Sequence, residues 1–246
     1  MIIKGAEPFL LKGGSTGILL VHGFTGLPAE LLPLGEFLNR AGFTVLGVRL
    51  AGHATNERDL ARSTREDWLN SVLDGWEILS GLCEKIFVVG HSMGALLALK
   101  LAKLREIGKV VTLAAPIFID EEQGLENLPP REKCGNLCVE RPQRKLKNVP
   151  PVVNKVYRKM PLVSIHELVE LIAEVEKILP EITAPVLIMH GDEDHTAQPK
   201  SAEFIAEKIG SASVERVTVA ACGHLLPLTE SREFVFEEVL KFCLKD

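Results

Sequence analysis

The chain has no apolar run approaching the roughly 18–20 residues that cross a bilayer, so no integral membrane segment is expected. Met1 to Gly14 hold no basic stretch followed by a long apolar core, which argues against an export signal and makes a cytoplasmic location the expectation. Basic charge is also short. The 28 Lys and Arg stand against 33 Asp and Glu, a net charge of −5, which excludes the overall basic character of a nucleic-acid binder. Cysteine pairing is not indicated: Cys83, Cys134, Cys138, Cys222 and Cys243 are odd in number and scattered, so reduced thiols are expected. Only Cys134 and Cys138 lie close together, and without a second ligand pair nearby no metal site is expected. Internal repeats and low-complexity tracts are missing as well.

What remains is ordinary globular composition, 46% hydrophobic and 25% charged, in 246 residues, enough for one sizeable core. Strand-like apolar runs at 17–21, 43–48, 86–89, 109–113, 185–189 and 214–219 recur along the chain. Helical stretches are expected at about 28–41, 65–82, 93–107 and 231–244. This alternation implies a mostly parallel sheet with helices on both faces. In such sheets reactive groups collect at the carboxyl ends of the strands. The pattern breaks at 116–180, which shows no convincing strand and holds Pro129-Pro130, Pro150-Pro151 and one helix near 162–178. We read 1–115 with 181–246 as the core domain and 116–180 as a small, mainly helical cap insertion over the active site. From Arg131 to Lys159 nine Lys and Arg face two Glu, an unusual excess in an acidic protein.

The run Ile86 to Leu97 contains Gly90-His91-Ser92-Met93-Gly94, a Gly-x-Ser-x-Gly string between a strand and a helix-forming stretch. That context is the one a nucleophile elbow requires, with the serine hydroxyl at the tip of a strained turn and glycines where side chains would collide. Ser92 is therefore the expected nucleophile. It needs a base, and the base an orienting acid. His224, in a short loop after the last strand, is the expected base, whereas His22 and His53 fit loop-organising roles and His91 is the variable position of the elbow. The acid should follow the strand ending at Met189, where Asp194 is favoured and Asp192, a natural turn-capping residue, is its competitor. Developing charge on the carbonyl oxygen needs donors, and the backbone N–H groups of Phe24 and Met93 are expected to supply this oxyanion hole.

The order Ser92, Asp194, His224 is that of α/β-hydrolases. The chain resembles carboxylesterases of that fold, of the small-cap, monoacylglycerol-lipase-like kind found in bacteria and archaea. The resemblance rests on Leu20-Val21-His22-Gly23-Phe24-Thr25-Gly26, Gly52-His53, Asp67-Trp68, the elbow, Ala115-Pro116, Ala184-Pro185, His190 to Asp194 and Gly223-His224. It implies an α/β-hydrolase fold, the triad and oxyanion donors already named, and cofactor-free hydrolysis of short-to-medium acyl esters. Two further readings stand beside it. In one, the basic cap, with Arg131, Lys133, Arg141, Arg144 and Lys145 as candidate substrate-binding residues, receives phosphate or a head group. That would make the enzyme an acyl-CoA thioesterase, a lysophospholipase or a monoacylglycerol lipase. In the other, the protein is a non-catalytic ligand binder on a hydrolase scaffold. The expected partner is a small acyl ester or thioester, and the expected state a monomer or homodimer.

Overall fold

The expected apolar runs in the middle of the sheet are buried strands because both its faces are covered, whereas the run at 214–219, at the sheet edge, is only partly buried. In the computed structural model, which describes residues 1–155 and 157–245, the order along the chain begins with β1 (Phe9–Leu11), β2 (Thr16–Val21), α1 (Leu32–Arg40) and β3 (Thr44–Val48). It continues with α2 (Glu57–Arg62), α3 (Arg65–Ser80), β4 (Lys85–His91), α4 (Met93–Leu104) and β5 (Lys109–Leu113). The segment 116–180 then supplies α5 (Arg131–Cys134), β6 (Cys138–Glu140), β7 (Lys159–Pro161) and α6 (Leu162–Ile178). The chain closes with β8 (Val186–Gly191), α7 (Lys200–Lys208), β9 (Val214–Val219) and α8 (Arg232–Leu244). Seven strands form one sheet in the order β1-β3-β2-β4-β5-β8-β9. All neighbours are parallel except β1, which pairs antiparallel with β3 at the edge.

Alternate residues of one strand serve opposite layers. Ile18 and Leu20 of β2 pack with Leu34 and Leu38 of α1 and with Val235 and Val239 of α8. Leu19 and Val21 pack on the other face with Trp68 and Val72 of α3 and Leu97 of α4. A strand buried on both sides must read as continuous apolar sequence, which is why these runs are legible. The expected helix at 28–41 is split into a 3-10 turn, Pro28–Glu30, and α1. Both pieces carry proline at their first positions, where its missing N–H costs nothing. The start of α3 is fixed by Thr64 and Asp67, whose side chains each accept from the other's backbone N–H.

Four short elements, β1, α2, β6 and β7, depart from the expectation. The segment 116–180 holds a two-stranded antiparallel ribbon, β6 with β7, in the register Val139↔Met160. Its strands are three residues long and β6 is exposed throughout, so no apolar alternation announces them. Edge strand β1 is equally short, held where the Phe9 ring lies over Gly47, whose added Cβ would sit 2.3 Å from that ring. Helix α2 falls in a stretch read as loop. The second half of α6 is anchored in the main core through Leu171, Ile172 and Val175. A further apolar cluster joins Val152 and Val153 to Leu27, Ala29 and Leu228, a second place where the 116–180 segment packs on the rest of the chain.

Candidate active site

The carboxyl end of β4 turns into α4 at Ser92, whose φ of +54° and ψ of −123° lie in a region that costs a non-glycine residue about 1–3 kcal/mol. The turn is tight enough that a Cβ on Gly90 would lie 2.1 Å from the Gly94 carbonyl oxygen, and one on Gly94 2.1 Å from that of Val21. Only glycine fits at either place. Ser92 Oγ–H donates to His224 Nε2 at 2.8 Å, and His224 Nδ1–H donates to Asp194 Oδ2 at 2.8 Å. His224 reaches the serine because β8 and the loop after β9 press together at Gly191, where a Cβ would stand 2.1 Å from the Cys222 carbonyl oxygen.

Asp194 is buried and fully engaged. Its Oδ1 accepts from the N–H groups of Thr196 (2.8 Å) and Ala197 (2.9 Å), and its Oδ2 also faces His190 Nε2 at 3.1 Å. Burial opposes the charge, but the hydrogen bonds from His190 and His224 outweigh it and hold the carboxyl well below the usual carboxylate range. The competitor Asp192 is exposed, and its Oδ1 receives only a long 3.4 Å contact from Cys222 N–H. The geometry brings together Ser92, His224 and Asp194, and leaves Asp192 at the rim.

The other histidines hold the surroundings in place. His91 Nε2–H donates to the His224 carbonyl at 2.9 Å, fixing the backbone of that loop from inside the elbow. Burial, with His224 beside it, pushes the His91 imidazole down to about 3, so it stays neutral. His22 Nδ1–H donates to the Gly23 carbonyl (2.9 Å) while its Nε2 accepts from Leu50 N–H (3.2 Å), which ties the turn after β2 to the end of β3. Burial, then neighbouring His53, lowers its pKa as well. His53 packs against Phe24 and Trp68, and Trp68 in turn against Phe24, so the turn carrying Phe24 rests on an aromatic floor.

That turn lies directly against the elbow, since a Cβ on Gly23 would be 3.1 Å from Ser92 Cβ. Among the described residues neither Phe24 N–H nor Met93 N–H has a hydrogen-bond acceptor. Phe24 lines the cavity above Ser92, a space of about 230 Å³ reached also by His224, and Met93 directly follows Ser92 at the start of α4. Much of its lining is apolar, with Ile119, Leu125, Met160, Ile165 and Leu168. The lining also includes the charged residues Glu30, Arg141 and Arg144.

The five basic residues expected to meet substrate therefore divide. Arg141 and Arg144 line the cavity, whereas Arg131, Lys133 and Lys145 are not among its lining residues. Arg131 instead pairs with Glu167 and Glu170 on α6, and Lys133 and Lys145 are exposed. Sequence reasoning did not find Glu30. It is 2% exposed, and Arg144 Nη1 donates to its Oε1 at 2.5 Å, across 114 residues of chain. Nothing local marks such a carboxylate, because its partner comes from a distant segment. The same holds for Thr25, whose Oγ1 receives Arg141 Nη1 at 2.5 Å. His190 was legible only as a neighbour of Asp194.

No helix among the described residues is long and apolar enough to cross a membrane. Residues 15–231 match the family described as Hydrolase_4, serine aminopeptidase, S33. A thermostable monoacylglycerol lipase of Bacillus sp. (strain H-257) is 36% identical over 99% of this chain and 96% of its own length. A carboxylesterase of Bacillus subtilis (strain 168) is 30% identical over 100% and 99%. Among solved structures, one described under LipS and LipT, two metagenome-derived lipolytic enzymes, superposes with a TM-score of 0.90 at 30% identity, covering 98% of each chain.

Proposed function

This chain belongs to the Hydrolase_4 (serine aminopeptidase, S33) family and is an ester-hydrolysing enzyme of the α/β-hydrolase fold, and from that premise we propose that it cleaves acyl esters through an acyl-enzyme on Ser92. The observation that carries the reading is the unbroken pair of 2.8 Å hydrogen bonds from Asp194 through His224 to Ser92. Ser92 Oγ attacks the acyl carbonyl as His224 Nε2 takes its proton, and Asp194 holds the imidazole in the Nδ1–H tautomer and stabilises the imidazolium that forms. The carbonyl oxygen becomes an oxyanion that accepts from Phe24 N–H and Met93 N–H, donors already fixed by the turn and the helix start. His224 then gives its proton to the departing alcohol. Water, deprotonated by the same imidazole, attacks the acyl-enzyme and releases the acid.

The segment 116–180 serves as the cap, with α6 as its anchored base and its apolar cavity wall receiving the acyl chain. A short-to-medium chain suits the cavity volume of about 230 Å³. Cleavage at the amino terminus of a peptide, the activity in the family's description, fits the cavity poorly. It would need a free carboxylate to hold the substrate ammonium. Glu30, the one carboxylate among the described lining residues, is already paired with Arg144.

The test is hydrolysis of p-nitrophenyl esters from acetate to palmitate by wild type and Ser92→Ala. The substitution should lower kcat by roughly 10⁴–10⁶-fold with an unchanged melting temperature. Turnover retained in a clean Ser92→Ala preparation would overturn the assignment.

A further inference from the structure

The polar wall of the cavity is unbalanced in charge. Two guanidinium groups, Arg141 and Arg144, stand beside a single carboxylate, Glu30. Glu30 is committed to Arg144 at 2.5 Å, and burial pushes its carboxyl up while Arg144 opposes that shift. Arg141 makes no ion pair among the described residues. Of the five N–H donors of its guanidinium, one is engaged among the described residues, by Thr25 Oγ1. It is half-buried, and burial and then Arg144 disfavour its charge, opposed in part by Glu30. A cation so placed, beside another cation and largely out of water, is costly unless an anion completes it.

Its position relative to the reacting groups is fixed by a short relay. Arg141 Nη1 donates to Thr25 Oγ1, and Thr25 Oγ1–H donates to the Phe24 carbonyl at 2.6 Å. Arg141 is thus tied to the residue that follows the oxyanion donor Phe24, and it lines the same cavity as the apolar residues Ile119, Leu125 and Leu168. With the acyl chain against the apolar lining, the guanidinium of Arg141 is left to meet the alcohol portion of the ester.

The geometry points to an anion subsite at Arg141, with Arg144 behind it, that selects esters whose alcohol portion carries a carboxylate or phosphate monoester close to the scissile bond. This rests on the Ser92 hydrolase reading and specifies its substrate class. The planar fork of an arginine matches either oxyanion.

The experiment compares kcat/KM for three decanoyl esters, those of glycerol, glycerate and glycerol phosphate, with wild type, Arg141→Gln and Arg141→Lys. The expected result is at least a tenfold preference of wild type for one or both anionic esters over the glycerol ester. That ratio should collapse towards unity in Arg141→Gln, mainly through KM, and be partly kept in Arg141→Lys. The glycerate and glycerol phosphate arms tell carboxylate from phosphate. A second measurement needs no variant: inorganic phosphate or malonate should inhibit hydrolysis of the neutral ester competitively, and less so at high salt. Equal kcat/KM for all three esters in wild type, or a ratio unchanged in Arg141→Gln, would overturn the subsite. Neutral-ester turnover that survives Ser92→Ala would instead sink the underlying hydrolase reading.

Discussion

Replacing Asp194 by asparagine changes one oxygen to an amide nitrogen, and the surroundings dictate which. Oδ1 accepts two backbone N–H groups, of Thr196 and Ala197, that cannot turn away. Placing an NH2 there would set donor against donor at two buried positions, at about 1–3 kcal/mol for each unsatisfied group. The amide oxygen therefore takes the Oδ1 place and the NH2 faces His224. His224 Nδ1 must then become an acceptor, which moves its proton to Nε2, where it meets Ser92 as a donor and cannot act as base. The expected loss in kcat is about 10³–10⁴-fold. Stability changes too. The folded-state carboxyl of Asp194 lies below its ordinary value of 3.8, so its contribution is present above about pH 4 and fades as pH falls. The gap in melting temperature between wild type and Asp194→Asn should accordingly be wide at pH 7 and narrow below pH 4. Initial rates on p-nitrophenyl butyrate and thermal melts by circular dichroism supply both readouts, with Asp192→Asn as the control expected to stay within a few-fold of wild type. If Asp194→Asn keeps kcat within tenfold of wild type, or if Asp192→Asn is the crippled variant, the tautomer argument fails.

Two other outcomes follow from the buried charges. His22, His53 and His91 are all buried, with pKa values below the ordinary 6.5 because burial disfavours the imidazolium; His53 is pushed to about 4 and His91 to about 3. The unfolded chain binds those protons first as pH drops, so stability is full above pH 6.5 and is lost below it, by up to ~1.4 kcal/mol per pH unit for each group. Urea unfolding at pH 7 and pH 5 should show this fall, and His91→Gln should flatten the slope; an unchanged slope would contradict the assignment of neutral His91. On the α6 face, Arg65 Nη1 binds Glu167 (2.9 Å) and Glu170 (2.7 Å), and its Nε binds Glu174 (2.7 Å). Arg65→Met should cost about 1–2 kcal/mol after allowance for partial exposure. Urea denaturation would show it, with a smaller deficit at 1 M salt than at low ionic strength.

The catalytic candidates were legible because each sits in a local signal that a strand end imposes. Gly90 and Gly94 bracket Ser92 because backbone must pass within contact of backbone there, and Gly191 opens the β8 exit towards His224 for the same reason. Close approach of main chains leaves a mark in sequence, since only glycine permits it. Side-chain pairs between distant segments leave none. Arg144 with Glu30 and Arg141 with Thr25 join residues 114 and 116 positions apart, and neither member is unusual in its own neighbourhood. The basic stretch 131–159 was visible as composition, but composition does not say which of its members turn inward: Arg141 and Arg144 do, whereas Arg131 is spent on α6. The three-residue strands β1, β6 and β7 escaped because a period of two cannot be read from so few residues.

In the proposed reaction one serine, Ser92, forms the covalent acyl intermediate. Intact-protein mass spectrometry after treatment with an alkyl fluorophosphonate, followed by peptide mapping, tests it most directly. A single adduct is expected on Ser92 in wild type, slowed by orders of magnitude in His224→Ala and absent from Ser92→Ala. An adduct on another residue, or labelling of Ser92 that proceeds undiminished without His224, would contradict it.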